Sequence, residues 1–492
     1  MLQNKSSYKQ IFKATSIFGG VQLFNIIIAV FRSKIVAILL GPAGMGIVSL
    51  FSTTIGLMTE VTNFGLGTAA VKNVAAADGS GDAQLLGRTV AVFRRLVWVT
   101  GGLGFILTLV FAPWLSELAF GNKSYTVSFM ILSVTLLFSQ ISAGQNVILQ
   151  GMRKIQYMAK ASLLGSLAGL LISVPLYYFF REEGIVSAII ITAISSLLLT
   201  WYFADKIKIP KVNVDRPVIK AVGEDMLKMG FLISMSGFIT MATAYIVRIF
   251  ISNTGGLADV GLFTAGFAII STYVGMIFTA MGTDYYPRLS SFSKDNGMCK
   301  EAINQQAEIA ILILSPILMV FLVFVQWGVV LLYSKDFLAI VTMIHWAALG
   351  IFFKALSWSI AFIFLAKSAS KVFFWNEMAA NIYILLFNIL GYRLGGLTGL
   401  GISFLLAYFI YFIQVALVSR KLYDFTINKG LVKIFVIQFS LAVLCFSVVY
   451  FLNKSAAYSL GVVLIVFSCI YSWRELDRKI GIREMISNRL IK

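Results

Sequence analysis

The sequence predicts an all-α integral membrane protein with fourteen transmembrane helices, arranged as two parallel six-helix repeats followed by two further helices. Three observations predict it. Hydrophobic residues make up 59% of the 492 and charged residues only 12%, with a mean hydropathy of +0.89, a composition foreign to soluble domains. Apolar stretches long enough to cross a hydrocarbon core about 30 Å thick as helices recur to the end of the chain. The cations, finally, alternate from one inter-span loop to the next.

In chain order, the first six spans are 14–39, 43–68, 90–113, 124–150, 157–180 and 184–204. A linker at 205–225 with Pro210, Pro217 and a dense mix of charges reads as a connection between two lobes, with a short amphipathic helix after Pro217. Spans seven to twelve follow at 226–251, 258–282, 305–330, 338–366, 371–391 and 397–420, and two more at 430–451 and 455–473. The expected division is an N-lobe at 1–204, the linker at 205–225, a C-lobe at 226–420, and spans thirteen and fourteen with a tail at 421–492.

Of the 40 cations, 31 fall on one side of this arrangement, from Lys5, Lys9 and Lys13 through Arg94, Arg95 and the linker to Arg483, Arg489 and Lys492. Only Lys123, Arg181, Lys335, Arg393 and Lys454 fall on the other. The positive-inside rule places both termini and the 31 in the cytoplasm. The net charge of +19 is thus a topology signal, with no basic soluble face for nucleic acid. The basic loops suit anionic lipid head groups. The first apolar stretch is too long for a signal peptide and has no small-residue cleavage site, so it is expected to stay. Cys299, Cys445 and Cys469 lie in an inner loop and two late spans, which implies no disulfide framework.

A shift of 215 residues carries the first six spans onto spans seven to twelve, and Gly41 onto Gly256, Gly46 onto Gly261, Gly67 onto Gly282 and Gly184 onto Gly399. This is the internal symmetry of a secondary transporter. Six spans return a repeat to its starting side, so the halves are parallel repeats about an axis near the membrane normal.

The stretch Arg32-Ser-Lys-Ile-Val-Ala-Ile-Leu-Leu-Gly-Pro-Ala-Gly-Met-Gly46 resembles the end of span one in polysaccharide exporters of the MOP superfamily. Asn63-Phe-Gly-Leu-Gly-Thr-Ala-Ala-Val-Lys72 is similar to that family's ending of span two, with Asn63 and Lys72 where the family usually has Asp and Arg. Within the superfamily the chain looks most like Wzx-type O-antigen translocases. That resemblance implies flipping of an undecaprenyl-pyrophosphate-linked oligosaccharide from the inner to the outer leaflet of the bacterial inner membrane. The implied partners are the polyprenyl-pyrophosphate-linked glycan, membrane lipids, and a coupling proton or sodium ion. Alternatives are a lipid II flippase, a MATE-like ion-coupled drug antiporter and, from another class, a membrane-embedded glycan polymerase or ligase.

Ionisable groups inside spans are costly and hence candidate functional groups. Arg32 and Lys34 lie in the outer third of span one and Arg248 at the matching depth of span seven. Guanidinium forks suit a pyrophosphate, whereas side chains at span ends also snorkel to head groups, and both readings stand here. Lys354 sits near the centre of span ten, too deep for easy snorkelling, and is expected to face a cavity or a carboxylate. Glu60, well inside span two, is a candidate for ion coupling or for neutralising a cation. The polar face of span four, with Gln140, Asn146 and Gln150 among Ser139, Ser142 and Gln145, is expected to line a wet cavity; bonding to neighbouring helices is the alternative. His345 reads as a satisfied interior histidine, and Asp284 beside Arg288 as an interfacial ion pair.

No Walker A loop, nucleophile–histidine arrangement or cluster of metal ligands is present in the sequence, so no catalytic residue, metal or cofactor is expected. The 31-to-5 split of cations generates a direct test. Reporter fusions at about 122, 182, 335 and 453 are expected to report outside and those at about 80, 210, 295 and 425 inside. One clear reversal among these breaks the fourteen-span topology.

Overall fold

The computed structural model describes residues 2–210, 212, 214 and 216–480. Lys211, Arg483, Arg489 and Lys492 of the cytoplasmic set lie outside the described residues. Every regular element among the described residues is helical. In order they are α1 (Leu2–Asn63), α2 (Leu66–Gly79), α3 (Ala83–Val110), α4 (Ala112–Phe120), α5 (Thr126–Gly151), α6 (Ile155–Phe180), α7 (Gly184–Asp205) and α8 (Arg216–Gly255). There follow α9 (Leu257–Ala268), α10 (Gly275–Ser291), α11 (Asn296–Leu332), α12 (Val341–Ala366), α13 (Ser370–Tyr423), α14 (Lys429–Phe451) and α15 (Lys454–Ile480).

Nine helical stretches among the described residues are long and apolar enough to cross a membrane. Three of them, Phe24–Asn63, Ile155–Asp205 and Ser370–Tyr423, run to 40, 51 and 54 residues. At 1.5 Å per residue a helix of 40 residues is about 60 Å long, twice a hydrocarbon core. Each is interrupted near its middle. In α1 the break is Gly41 (φ 67°, ψ −169°), a conformation that an L side chain resists, followed at once by Pro42, which has no N–H to continue the ladder. Between α6 and α7 it is the short 3₁₀ turn Arg181–Glu183. In α13 it is Gly395 and Gly396. A further break at Gly256 (φ 89°) separates α8 from α9, and a π-helical turn, Ile269–Val274, separates α9 from α10.

Caps at the membrane-proximal helix starts use short polar side chains. Asp82 accepts from the Gln84 and Leu85 amides ahead of α3, Asp295 from Met298 ahead of α11, and Asn428 from Leu431 ahead of α14.

The chain divides into two compact units, Met1–Gly261 and Leu262–Lys492. The core of the first holds Leu66, Ala69, Val74, Val90, Phe93 and Ile148. Ile207 and Ile209 of the linker pack against it, and Val214 is fastened there by a hydrogen bond from Arg95 to its carbonyl, 2.8 Å. The core of the second holds Tyr285, Cys299, Ile303, Ile360, Phe364 and Val415. Large apolar side chains elsewhere point outwards, such as Leu394 at 88% and Phe451 at 76% exposure. Lipid tails are as apolar as these side chains, so close packing and hydrogen bonds have to hold the helices together.

Small residues make the closest approaches. A Cβ on Gly46 would fall 2.0 Å from the Leu257 carbonyl oxygen, and one on Gly261 1.8 Å from that of Pro42. Gly46 and Gly261, related by the 215-residue offset, are therefore packed backbone to backbone. Gly102, by contrast, has nothing within 4 Å of such a Cβ. Gly261→Val is expected to destabilise the folded protein by about 1–3 kcal/mol or more, since no flexible side chain can yield. The check is a lowered Tm in detergent, with Gly102→Ala unchanged beside it.

Candidate functional site

In the first unit three of the candidate cations lie on α1 and α8. Arg32 and Lys34 lie on α1 ahead of the Gly41 break, both half-buried. Arg248, on α8, is half-buried as well. Its Nε donates to Ser49 Oγ at 3.1 Å, and one terminal nitrogen donates to the Ala244 carbonyl of its own helix at 3.0 Å. Ser49 is on the second half of α1, so Arg248 bridges two helices. One turn away the hydroxyls of Thr54 and Tyr245 are hydrogen-bonded at 3.0 Å, and both are almost completely buried.

Glu60 is half-buried on the same half of α1. No ion pair involves it among the described residues. Its neighbours Thr59 and Thr62 are engaged by Gln140, whose amide nitrogen is 3.5 Å from the Thr59 carbonyl and 3.4 Å from Thr62 Oγ1.

The polar stripe of α5 divides along its length. Gln140 is 3% exposed and bonds to α1; Ser142 is wedged between Ser196 and Thr200 of α7 at 3.2 and 3.1 Å. These two bond helix to helix. Further along, Gln145 Oε1 and Asn146 Oδ1 are buried without a hydrogen-bond partner among the described residues, which is the condition of groups that need water or a ligand. Gln150 is exposed.

In the second unit Lys354 of α12 is half-buried. Its ammonium lies over three rings: Tyr408 at 5.1 Å, Phe404 at 5.8 Å and Phe278 at 5.9 Å. Phe278 comes from α10, and Phe404 and Tyr408 from the second half of α13. Gly350, one turn before Lys354, lets α13 approach: a Cβ there would meet Phe404 Cδ1 at 2.6 Å and Leu405 Cα at 2.9 Å. No carboxylate lies within ion-pair distance of Lys354 among the described residues. Ring faces stabilise a desolvated ammonium by roughly 2 kcal/mol without cancelling its charge. The position remains electropositive and suited to an anion.

Two acids that sequence reasoning passed over also emerge. Glu377 of α13 accepts a hydrogen bond from Tyr411, while Gln414 bonds to the Asn376 side chain at 2.7 Å and backbone at 3.0 Å. Glu308 of α11, 5% exposed at its side chain, is paired with Lys479 of α15 at 2.6 Å. Each stands a few residues inside an expected span, and that position was the available signal. His345 is buried with Nε2 3.1 Å from the Leu322 carbonyl. Asp284 and Arg288 form a loose pair at 3.9 Å with Asp284 87% exposed.

Arg32, Lys34, Glu60, Gln140, Asn146, Gln150 and Arg248 thus belong to the first unit and Lys354 to the second. Long apolar helices broken at glycines are the features of a multi-pass membrane protein.

Comparison with known proteins identifies the family. A model of the polysaccharide biosynthesis protein family matches residues 35–342, and the chain belongs to that family. It is 22% identical over 391 residues to the lipid III flippase of Escherichia coli (strain K12), covering 77% of this chain and 91% of that protein. Its fold is similar to that of lipid II flippase MurJ in an inward closed conformation, with a TM-score of 0.67 and 14% identity over 94% of this chain and 99% of that one. It is similar also to an inward-facing multidrug resistance MATE family transporter of the MOP superfamily, with a TM-score of 0.70 and 16% identity over 83% and 96%. The protein therefore has the all-helical membrane transporter fold that these two share.

Proposed function

We propose that the protein is a flippase for a lipid-linked oligosaccharide, of the Wzx type, carrying an undecaprenyl-pyrophosphate-linked O-antigen or similar repeat unit from the inner to the outer leaflet of the bacterial inner membrane. The reading is supported by the family, by the likeness to a lipid III flippase over nine-tenths of that protein, and by the fold. The observation that carries it is Lys354, an ammonium held deep in the bundle on three aromatic faces. A cation kept for structure alone inside a membrane is ordinarily paired with a carboxylate. One kept on neutral rings attracts a mobile anion, and a pyrophosphate is the densest anion such a substrate offers.

In this proposal fourteen spans cross the membrane with both termini cytoplasmic, and the six-span lobes alternate access around the site. The backbone contact of Gly46 with Gly261 suits it, because residues equivalent under a two-fold axis meet each other on that axis. The protein catalyses no covalent step. Energy comes from an ion gradient, the membrane potential or removal of flipped product, with Glu60 the coupling candidate in the first unit. The candidate pyrophosphate ligands are Arg32, Lys34 and Arg248 in the first unit and Lys354 in the second; Asn146 and Gln150 are the candidates for glycan hydroxyls, and the polyprenyl tail stays in lipid.

The test is reconstitution in liposomes with a fluorescent undecaprenyl-pyrophosphate oligosaccharide, scoring transfer between leaflets, with lipid II as the competing substrate. Transfer of lipid II alone decides for the lipid II reading. Lys354→Ala is expected to lower transfer roughly tenfold or more, the value of one charge-assisted hydrogen bond at about 1.5–3 kcal/mol. Arg248→Lys, which keeps the charge and loses the planar fork, is expected to fall as well at unchanged protein level. Unaltered transfer in both variants removes the cations from the site.

A further inference from the structure

The second half of α1 and helix α8 form a seam inside the first unit. Its contacts run in opposite directions along the two helices: Ser49 with Arg248, Thr54 with Tyr245, Gly56 with Met241, and Gly65 with Gly230. As one number rises the other falls, so the helices lie antiparallel, side by side. The two ends of the seam differ in kind. Towards Gly65 it is made by close approach: a Cβ on Gly65 would meet Ser234 Oγ at 1.9 Å and the Gly230 carbonyl oxygen at 2.1 Å, that hydroxyl already donates to the Gly230 carbonyl of its own helix, and a Cβ on Gly56 would meet the Met241 thioether at 3.4 Å. Towards Ser49 it is made by hydrogen bonds between side chains that are all buried on α1, with Ser49 7% and Thr54 1% exposed. Glycine contacts slide and part without leaving a polar atom bare. The hydrogen-bonded end cannot part without breaking the Arg248–Ser49 and Thr54–Tyr245 bonds in a buried seam, each worth about 0.5–3 kcal/mol unless a new partner replaces it.

Arg248 can find one. Its Nε now donates to a neutral serine oxygen. A phosphate oxygen is anionic, and a hydrogen bond between two charged groups is roughly twice as strong as one to a neutral acceptor. We propose that Ser49 is a stand-in for the substrate. The diphosphate of the lipid-linked glycan displaces Ser49 from Arg248 Nε, and that exchange releases the outer end of the seam between α1 and α8. Ser49 is then a positioning residue: it holds Arg248 in reach of the substrate and keeps the seam shut until the substrate arrives. This rests on the reading of Arg248 as a pyrophosphate ligand, and it adds that binding and opening are one event.

The arrangement has a signature that a merely structural serine lacks. Removing a competing acceptor strengthens ligand binding, whereas damaging a site weakens it. The full chain in nanodiscs, with Cys299, Cys445 and Cys469 replaced by serine and Thr54→Cys as reporter, is labelled with a water-soluble maleimide. Undecaprenyl pyrophosphate is the probe and undecaprenol the control. The expected result is slow labelling of residue 54, about tenfold faster with undecaprenyl pyrophosphate and unchanged with undecaprenol. Ser49→Ala is expected to label fast without ligand, to gain less than about twofold with it, and to bind undecaprenyl pyrophosphate roughly three- to tenfold more tightly. Ser49→Thr, which restores a hydroxyl, is expected to behave as the parent. Weaker binding in Ser49→Ala, or labelling that ignores the ligand in a protein that binds it, overturns the exchange while leaving the flippase reading intact. If the parent shows no binding of undecaprenyl pyrophosphate at all, the flippase reading and the exchange fall together.

Discussion

A backbone amide or carbonyl in hydrocarbon has no water to turn to. Every other feature of this protein follows from that. Each polar main-chain group inside the membrane must be satisfied by the same segment, which leaves helices as the only regular structure among the described residues. The same constraint decides where helices are allowed to break. Gly41, Gly256 and the pair Gly395–Gly396 interrupt the long helices, and beside Gly41 stands Pro42. Arg181, at the turn after α6, donates to the Leu39 carbonyl at 2.8 Å, one of the acceptors that the Gly41 break leaves without an intrahelical donor.

Once formed, the helices have no hydrophobic drive to associate, and two devices replace it. One is close approach at small residues, as at Gly46 against Leu257 and Gly401 against the Met343 carbonyl. The other is a few polar knots. Gln438 of α14 bonds to Ser472 at 2.8 Å and accepts from Ser468 at 2.7 Å, all three nearly or wholly buried. Asn304 donates to the Thr426 carbonyl and accepts from the Asn428 amide, and one turn on, Glu308 meets Lys479. These bonds fasten α14 and α15 to each other and to α11.

The cations follow a different rule from these knots. Glu308 and Lys479 neutralise each other and give the second unit rigidity. The Lys354 ammonium lies over the rings of Phe278, Phe404 and Tyr408, and Arg248 donates to the Ser49 hydroxyl. A neutral partner holds a cation in place and yields to a stronger acceptor.

The sequence by itself determined the class of the molecule, because hydropathy and backbone satisfaction depend on local composition alone. Apolar lengths, glycine and proline breaks and alternating cations are all readable within about 20 residues of each other. The cost of burying Arg248, Lys354 and Glu60 was readable in the same way. Their partners were not. Lys354 was expected to meet a cavity or a carboxylate, and the described residues around it supply Phe278, Phe404 and Tyr408, from helices far apart in the chain. Gln140 and Ser142 read as cavity lining by their spacing, yet they bond to α1 and α7. Only the tertiary structure decides such cases, since spacing tells which face of a helix is polar and not what lies against it. Likewise Gly46 and Gly261 were matched by an offset, but that they touch is a property of how the helices pack.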